Sequence, residues 1–125
     1  MGYDVYLVDK KGNSVQIERH REGGNVGLPV TKGMIDIGGT TNAEISITSN
    51  YAPYYYQHLN KEHGLRWLHG KKAKTAIPKL RHAIKQLGTT PYGSYWNRNP
   101  ANAGRALAAL LTWAEQYPNA TFKVH

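Results

Sequence analysis

Cationic and aromatic side chains are interleaved through the second half of this chain. Between residues 63 and 114 there is no aspartate or glutamate, and six of the eight acidic residues lie before residue 50. Lysine and arginine without local carboxylates hold phosphates, and aromatic rings stack on bases. The composition of this half therefore indicates an anion-binding surface rather than a basic face that only confers solubility. The cations in it are Arg66, Lys71, Lys72, Lys74, Lys79, Arg81, Lys85, Arg98 and Arg105.

The candidate binding residues beyond position 50 have a positive charge or an aromatic ring, or they lie at the start of a predicted helix. The segment YWNRNPANAGR adds a capped helix start to two arginines, and helix N-termini attract anions. Trp67 lies among the cations as well, but we expect Trp67 and Trp96 to be buried because tryptophan usually is. The candidates are Tyr54, Arg66, Lys71, Lys72, Lys74, Lys79, Lys85, Tyr95, Trp96, Asn102 and Arg105.

The stretch GLRWLHGKK at residues 64–72 partly matches a phosphate-binding loop. In such a loop four residues separate two glycines, and a serine or threonine that holds magnesium follows the lysine. Here five residues separate Gly64 from Gly70, and Lys72 stands where the hydroxyl would be. We therefore do not expect this stretch to bind a nucleotide in that manner.

Histidines supply a second type of chemistry. His58 and His63 are five residues apart, which directs them about 140° from each other on a helix, so we expect no metal site. His63, His69 and Lys71 keep one alternative open, a small metal-independent nuclease that uses histidines as general acid and base. The leading hypothesis is a protein that binds without catalytic residues, metal or cofactor.

The bulk composition predicts one soluble domain over residues 1–125. A chain of 125 residues is long enough for a single core. It has no cysteine, which excludes disulfides and thiolate metal sites and favours an intracellular setting. Its apolar runs are too short for a membrane span. We therefore expect a cytoplasmic protein that does not bind membranes.

The N-terminal half predicts a small antiparallel sheet of two hairpins. Residues 3–8 and 15–18 flank a turn at Gly12 and Asn13, and MIDIGG and AEISITS alternate around Gly38 and Gly39. Alternation of apolar and polar residues about glycine turns is typical of hairpins. Residues 19–33 carry glycines and a proline and are expected to form a loop.

The run SNYAPYYYQH opens a helical half. Successive helical residues are turned by about 100°, so three consecutive tyrosine rings cannot all face one core. Tyr51, Tyr55 and Leu59 are spaced by four and predict the buried stripe. Tyr54 or Tyr56 is then left partly exposed.

Cap signals set the bounds of three helices that are expected to pack on the sheet. The first helix begins at Ser49 or Asn50 and ends at Gly64. The second runs over residues 75–87 and ends before Gly88. The third begins after an Asn99 cap. The sequence thus predicts an α+β fold. The buried stripes are Ile77, Leu80, Ile84 and Leu87 in the second helix and Leu107, Leu110, Leu111 and Ala114 in the third.

Several segments resemble a family of small bacteriophage and prophage proteins. They are HREGG at 20–24, GGTTNAEISITSNYAPYY at 38–55, GLRWLHGKKA at 64–73, IPKLRHAIKQLG, and YWNRNPANAGRALAALL at 95–111. The resemblance covers most of the chain beyond the first hairpin and implies an accessory role in the cytoplasm of a bacterial host. The chain departs from the family in carrying cations where more acidic residues are usual, at Lys72, Lys74, Lys79, Arg81 and Lys85.

These observations together predict a non-enzymatic phage protein that binds nucleic acid or a nucleotide messenger and so counteracts a bacterial defence system. A first alternative is a protein inhibitor of a host effector such as a CRISPR nuclease, whose partner is a host defence protein. The second alternative is the small metal-independent nuclease. Self-association into a homo-oligomer is left open.

Overall fold

The computed structural model describes residues 2–20, 40–90 and 99–125. These residues form the predicted α+β fold, with two small antiparallel sheets and three α-helices. The strands are β1 Gly2–Val8, β2 Gln16–His20, β3 Thr40–Asn42, β4 Glu44–Thr48 and β5 Thr121–Val124. The α-helices are α1 Ala52–His58, α2 Ala73–Leu87 and α3 Pro100–Gln116, and 3-10 helices span Ser49–Tyr51 and Gly64–Leu68.

The larger sheet has three strands in the order β4-β1-β5, all antiparallel. Val5 of β1 lies opposite Ile45 on one side and Val124 on the other. Side chains alternate between the two faces of a strand, so one face of this sheet supplies the core and the other carries polar groups. The apolar residues that this sheet buries on its core-facing side are Val5, Leu7, Ile45, Ile47, Phe122 and Val124.

The first predicted hairpin forms its turn but not a ladder. The Asn13 carbonyl accepts the Asp9 N–H at 2.8 Å, and Gly12 has a positive φ of 85°. Among the described residues, the antiparallel contact after this turn is limited to a bridge between Val8 and Ser14, because β4 and β5 flank β1 on both edges. Strand β2 pairs with β3 instead. The second predicted hairpin includes residues 34–39, and these lie outside the described residues.

The tyrosine helix is shorter than predicted. Its 3-10 start is capped by Thr48, whose hydroxyl accepts the Asn50 N–H at 3.2 Å, and not by Ser49 or Asn50. Helix α1 ends at His58, after which the Asn60 side chain accepts two backbone N–H groups and so favours a turn. Gly64 is left-handed as predicted, with φ of 57°, but it begins a 3-10 helix.

The two faces of α1 are as predicted. Tyr51 and Tyr55 are fully buried and Leu59 is nearly so. The Tyr55 hydroxyl also donates to the Ala103 carbonyl at 3.1 Å, which ties α1 to α3. Tyr54 is half-buried and Tyr56 is 43% exposed.

Helices α2 and α3 pack closely because small residues line their contact. A Cβ atom on Gly104 would lie 1.8 Å from the Gly88 carbonyl oxygen, so α3 admits no side chain there. The predicted stripe of α2 is rotated in consequence: Leu80 and Leu87 are buried, but Ile77 and Ile84 are only half-buried. The small buried residues are Ala73, Ala76 and Ala83 of α2 and Ala103 and Ala106 of α3.

Helix α3 begins and ends as its signals predict. The Asn99 side chain accepts the Ala101 N–H at 2.9 Å, and Tyr117 follows the last helical residue. Leu107, Leu110 and Ala114 are fully buried. Leu111 is half-buried instead, because it faces away from the centre of the core.

We expect Leu110→Ala to lower the free energy of unfolding by about 2 to 5 kcal/mol, since it leaves a cavity in a fully packed site. Leu111→Ala is the matched control, and its half-buried side chain should cost clearly less. Chemical denaturation measures both. Equal losses for the two variants would contradict the observed register of α3.

We also expect Gly104→Ala to lower the denaturation midpoint. Alanine is better than glycine inside a helix by about 1 kcal/mol, so helix propensity alone predicts the opposite sign. The loss follows because the new methyl group would overlap the Gly88 carbonyl. A stabilised variant would mean that α2 and α3 are not in close contact at this point.

Candidate functional site

Trp67 lies at the centre of an aromatic and cationic cluster. The Lys71 ammonium is 5.4 Å from the Trp67 ring centroid, and the Lys79 ammonium is 5.2 Å from it. Cations at such distances are attracted by the ring quadrupole. We call these three residues the Trp67 cluster. It joins two of the predicted binding lysines to a tryptophan that was expected in the core.

The 3-10 helix Gly64–Leu68 determines which side of this segment is buried. Such a helix has three residues per turn, so Leu65 and Leu68 share a side, and both are fully buried. Trp67 lies on another side and is half-buried, while Arg66 is exposed. The indole therefore packs partly against the core and keeps part of its surface accessible.

Strand β5 holds the segment that follows Trp67. Residues 69–74 make hydrogen bonds along the edge of this strand and the turn before it, an arrangement we call the β5 clamp. Gly70, whose φ is 81°, allows the chain to turn onto this edge. The bonds join Gly70 N–H to Phe122 O (2.8 Å), Phe122 N–H to Lys71 O (2.9 Å), Val124 N–H to His69 Nδ1 (3.1 Å), Ala73 N–H to Ala120 O (2.8 Å) and Lys74 N–H to Pro118 O (2.9 Å).

Lys79 is held at a defined position although its side chain is largely exposed. Its ammonium donates to the Leu59 carbonyl at 3.2 Å, at the residue that follows α1. Carbonyl groups at a helix C-terminus attract cations. This bond and the contact with Trp67 place a positive charge between α1, α2 and the 3-10 helix.

The other α2 cations lie apart from the Trp67 cluster. Lys74, Arg81 and Lys85 are exposed, and their spacing of seven and four residues puts them on one outer face. The sequence of α2 alone predicts no carboxylate on this face, but α3 supplies one: Arg81 Nη2 is 2.9 Å from Glu115 Oε2. Lys72, just before α2, is also exposed.

The remaining candidates within the described residues have other surroundings. Arg66 lies 5.5 Å from the centroid of the Tyr3 ring, and Tyr54 is half-buried against the core. Asn102 is only 8% exposed, which removes it from an open surface, and Arg105 is half-buried on α3. Tyr95 and Trp96 lie outside the described residues.

The histidines of the nuclease alternative have separate surroundings. His69 Nδ1 accepts the Val124 N–H, which gives this ring a structural role in the β5 clamp. His63 is exposed, with its Nε2 atom 3.8 Å from Glu62. In the part of the chain that the structure describes, no group of three or more His, Asp or Glu side chains is placed to hold a metal ion. No helix in that part is long and apolar enough to cross a membrane.

The pKa of the Tyr3 hydroxyl depends on the nearby Arg66 guanidinium. Burial raises the pKa of Tyr3 above its ordinary value, and the nearby Tyr56 raises it further. The Arg66 guanidinium acts in the opposite direction and lowers this pKa, because a cation stabilises the tyrosinate. Arg66 is therefore engaged with the first strand on a side of the 3-10 helix that Trp67 does not occupy.

Comparison with known proteins gives no relative for this chain. No protein-family model, no curated protein and no solved structure matches it. What the chain binds is therefore inferred from the geometry and charge of its own residues.

We expect Arg66→Met to raise the pKa of Tyr3 further, since the cation that favours the tyrosinate is removed. Tyr56→Phe should shift the same pKa downward, because it removes the hydroxyl whose electrostatic interaction raises the pKa of Tyr3. NMR titration of the tyrosine ring carbons, assigned with Tyr3→Phe, measures both shifts. An unchanged Tyr3 pKa in the Arg66 variant would show that the guanidinium does not lie over this ring.

Proposed function

We propose that this chain binds single-stranded nucleic acid, with a base on Trp67 and phosphates on the surrounding lysines. The Trp67 cluster supports the proposal, because it combines a partly accessible indole with two ammonium groups next to it. Proteins that hold single strands use this combination of stacking and charge. The lysine stems are flexible, so each ammonium can leave the ring for a phosphate when a base stacks there.

The extent of the basic surface favours a strand over a compact nucleotide. Helix α2 has 15 residues and is therefore about 22 Å long. Lys72 lies at its start, and Lys85 lies in its last turn. This length exceeds the size of one nucleotide, and the cations along it can follow several phosphates of a strand.

The cellular part of the proposal rests on the resemblance to bacteriophage proteins. A phage protein that binds single strands in a bacterial cytoplasm would occupy a nucleic acid that a host defence system uses. No chemical step is required for this role, since occupancy alone blocks the strand. Inhibition through a protein surface remains the competing hypothesis and is an outcome of the experiment below.

We expect Trp67→Leu to weaken binding of a labelled single-stranded oligonucleotide by about 5-fold to 100-fold, the usual worth of one stacked base. Lys71→Met and Lys74→Met should each reduce the slope of log affinity against log salt by about 0.7 for every phosphate that the variant no longer neutralises. Fluorescence anisotropy over a series of salt concentrations measures both effects.

Lys11→Met is the matched control, because it removes the same charge at the exposed turn between β1 and β2. It should leave affinity close to that of the parent, and all variants should keep the parent melting temperature within a few degrees. If Trp67→Leu, Lys71→Met and Lys74→Met all bind as well as the parent, the basic surface is only a solvated face. Retained anti-defence activity in the same variants would then favour the protein inhibitor.

A further inference from the structure

A second feature lies next to the Trp67 cluster, in the cleft between the end of α1 and the middle of α2. Its volume is about 440 Å³, which is within the usual range of small-molecule sites. We call it the α1–α2 cleft. The polar side chains that line it are Gln57, His58, Asn60, Lys61, Lys79 and His82.

The ionisable side chains among the described residues that line this cleft are all basic in type. Two are lysines and two are histidines, and none of the lining residues is a carboxylate. The nearest acid in sequence, Glu62, is directed toward His63 at 3.8 Å. The cleft is therefore suited to an anion, which could take hydrogen bonds from both helices.

Lys79 links the cleft to the Trp67 cluster. Its ammonium covers the Leu59 carbonyl, which would otherwise repel an anion at the end of α1. The same ammonium is 5.2 Å from the Trp67 ring centroid. A base that stacks on Trp67 and a phosphate that contacts Lys79 would thus belong to the same nucleotide or to adjacent ones.

We propose that the α1–α2 cleft binds a phosphate monoester, either the terminal phosphate of a strand or the phosphate of a free nucleotide. This inference rests on the proposed binding of nucleic acid and identifies the group that is recognised. A monoester carries about −1.5 to −2 charges near neutral pH, whereas each internal phosphodiester carries one. Basic side chains that converge from two helices therefore favour a chain end over the interior of a strand.

The test compares oligonucleotides of one sequence that end in a phosphate or in a hydroxyl, together with a nucleoside monophosphate and its nucleoside. Titration calorimetry measures their affinities for the full chain. The terminal phosphate should raise affinity about tenfold to a hundredfold, the worth of one or two charge-assisted hydrogen bonds. A preference shown only by the oligonucleotide assigns the cleft to strand ends, and one shown only by the monophosphate assigns it to free nucleotides.

Substitutions of cleft residues outside the Trp67 cluster test whether the preference for a terminal phosphate arises in the cleft. Lys61→Met and His82→Gln change exposed side chains and should remove most of the preference for the phosphate while the hydroxyl-ended strand binds as before. Lys11→Met, at the exposed turn between β1 and β2, is the control and should leave the preference unchanged. A preference that survives both cleft variants overturns the inference.

The two proposals fail in different ways. If the hydroxyl-ended strand binds and the phosphate adds nothing, the cleft inference is wrong and the nucleic-acid interface stands. If monophosphates bind through the cleft while strands without a terminal phosphate do not bind, the cleft inference stands and the strand-binding proposal is wrong.

Discussion

The position of β5 between two partners is the constraint on which the rest of the site depends. This strand pairs with the central strand β1 on one side and with residues 69–72 on the other. Its Phe122 side chain is fully buried, so the strand cannot shift without opening the core. The β5 clamp therefore fixes both the 3-10 helix that carries Trp67 and the start of α2. Lys79, twelve residues beyond Trp67, meets the indole because these two elements are held at one edge of the sheet.

Local signals were sufficient for the elements that local chemistry determines. The Asn99 cap and the Gly88 stop involve only neighbouring residues, and the structure has both of them as predicted. The two faces of α1 also follow from spacing alone, because ring directions on a helix are fixed by its period. The α+β class follows from the change of period between the two halves.

The sequence did not predict features that depend on contacts between residues distant along the chain. Strand β5 has only four residues, too few for a recognisable pattern, and it exists because β1 offers a free edge. The rotation of α2 away from Ile77 and Ile84 reflects the close contact at Gly104, and the partner of Arg81 lies 34 residues away on α3. Lys71 follows Trp67 by four residues, a spacing that could have indicated the Trp67 cluster, but the approach of Lys79 has no such local signal.

The central claim is that a nucleic-acid base stacks on Trp67. Fluorine NMR of fluorotryptophan-labelled protein tests it most directly, with Trp67 assigned by substitution and the buried Trp113 as an internal reference. During titration with a single-stranded oligonucleotide, the Trp67 signal should shift and reach saturation together with binding, while the Trp113 signal stays in place. A Trp67 signal that does not move when the protein is saturated with oligonucleotide would contradict the account.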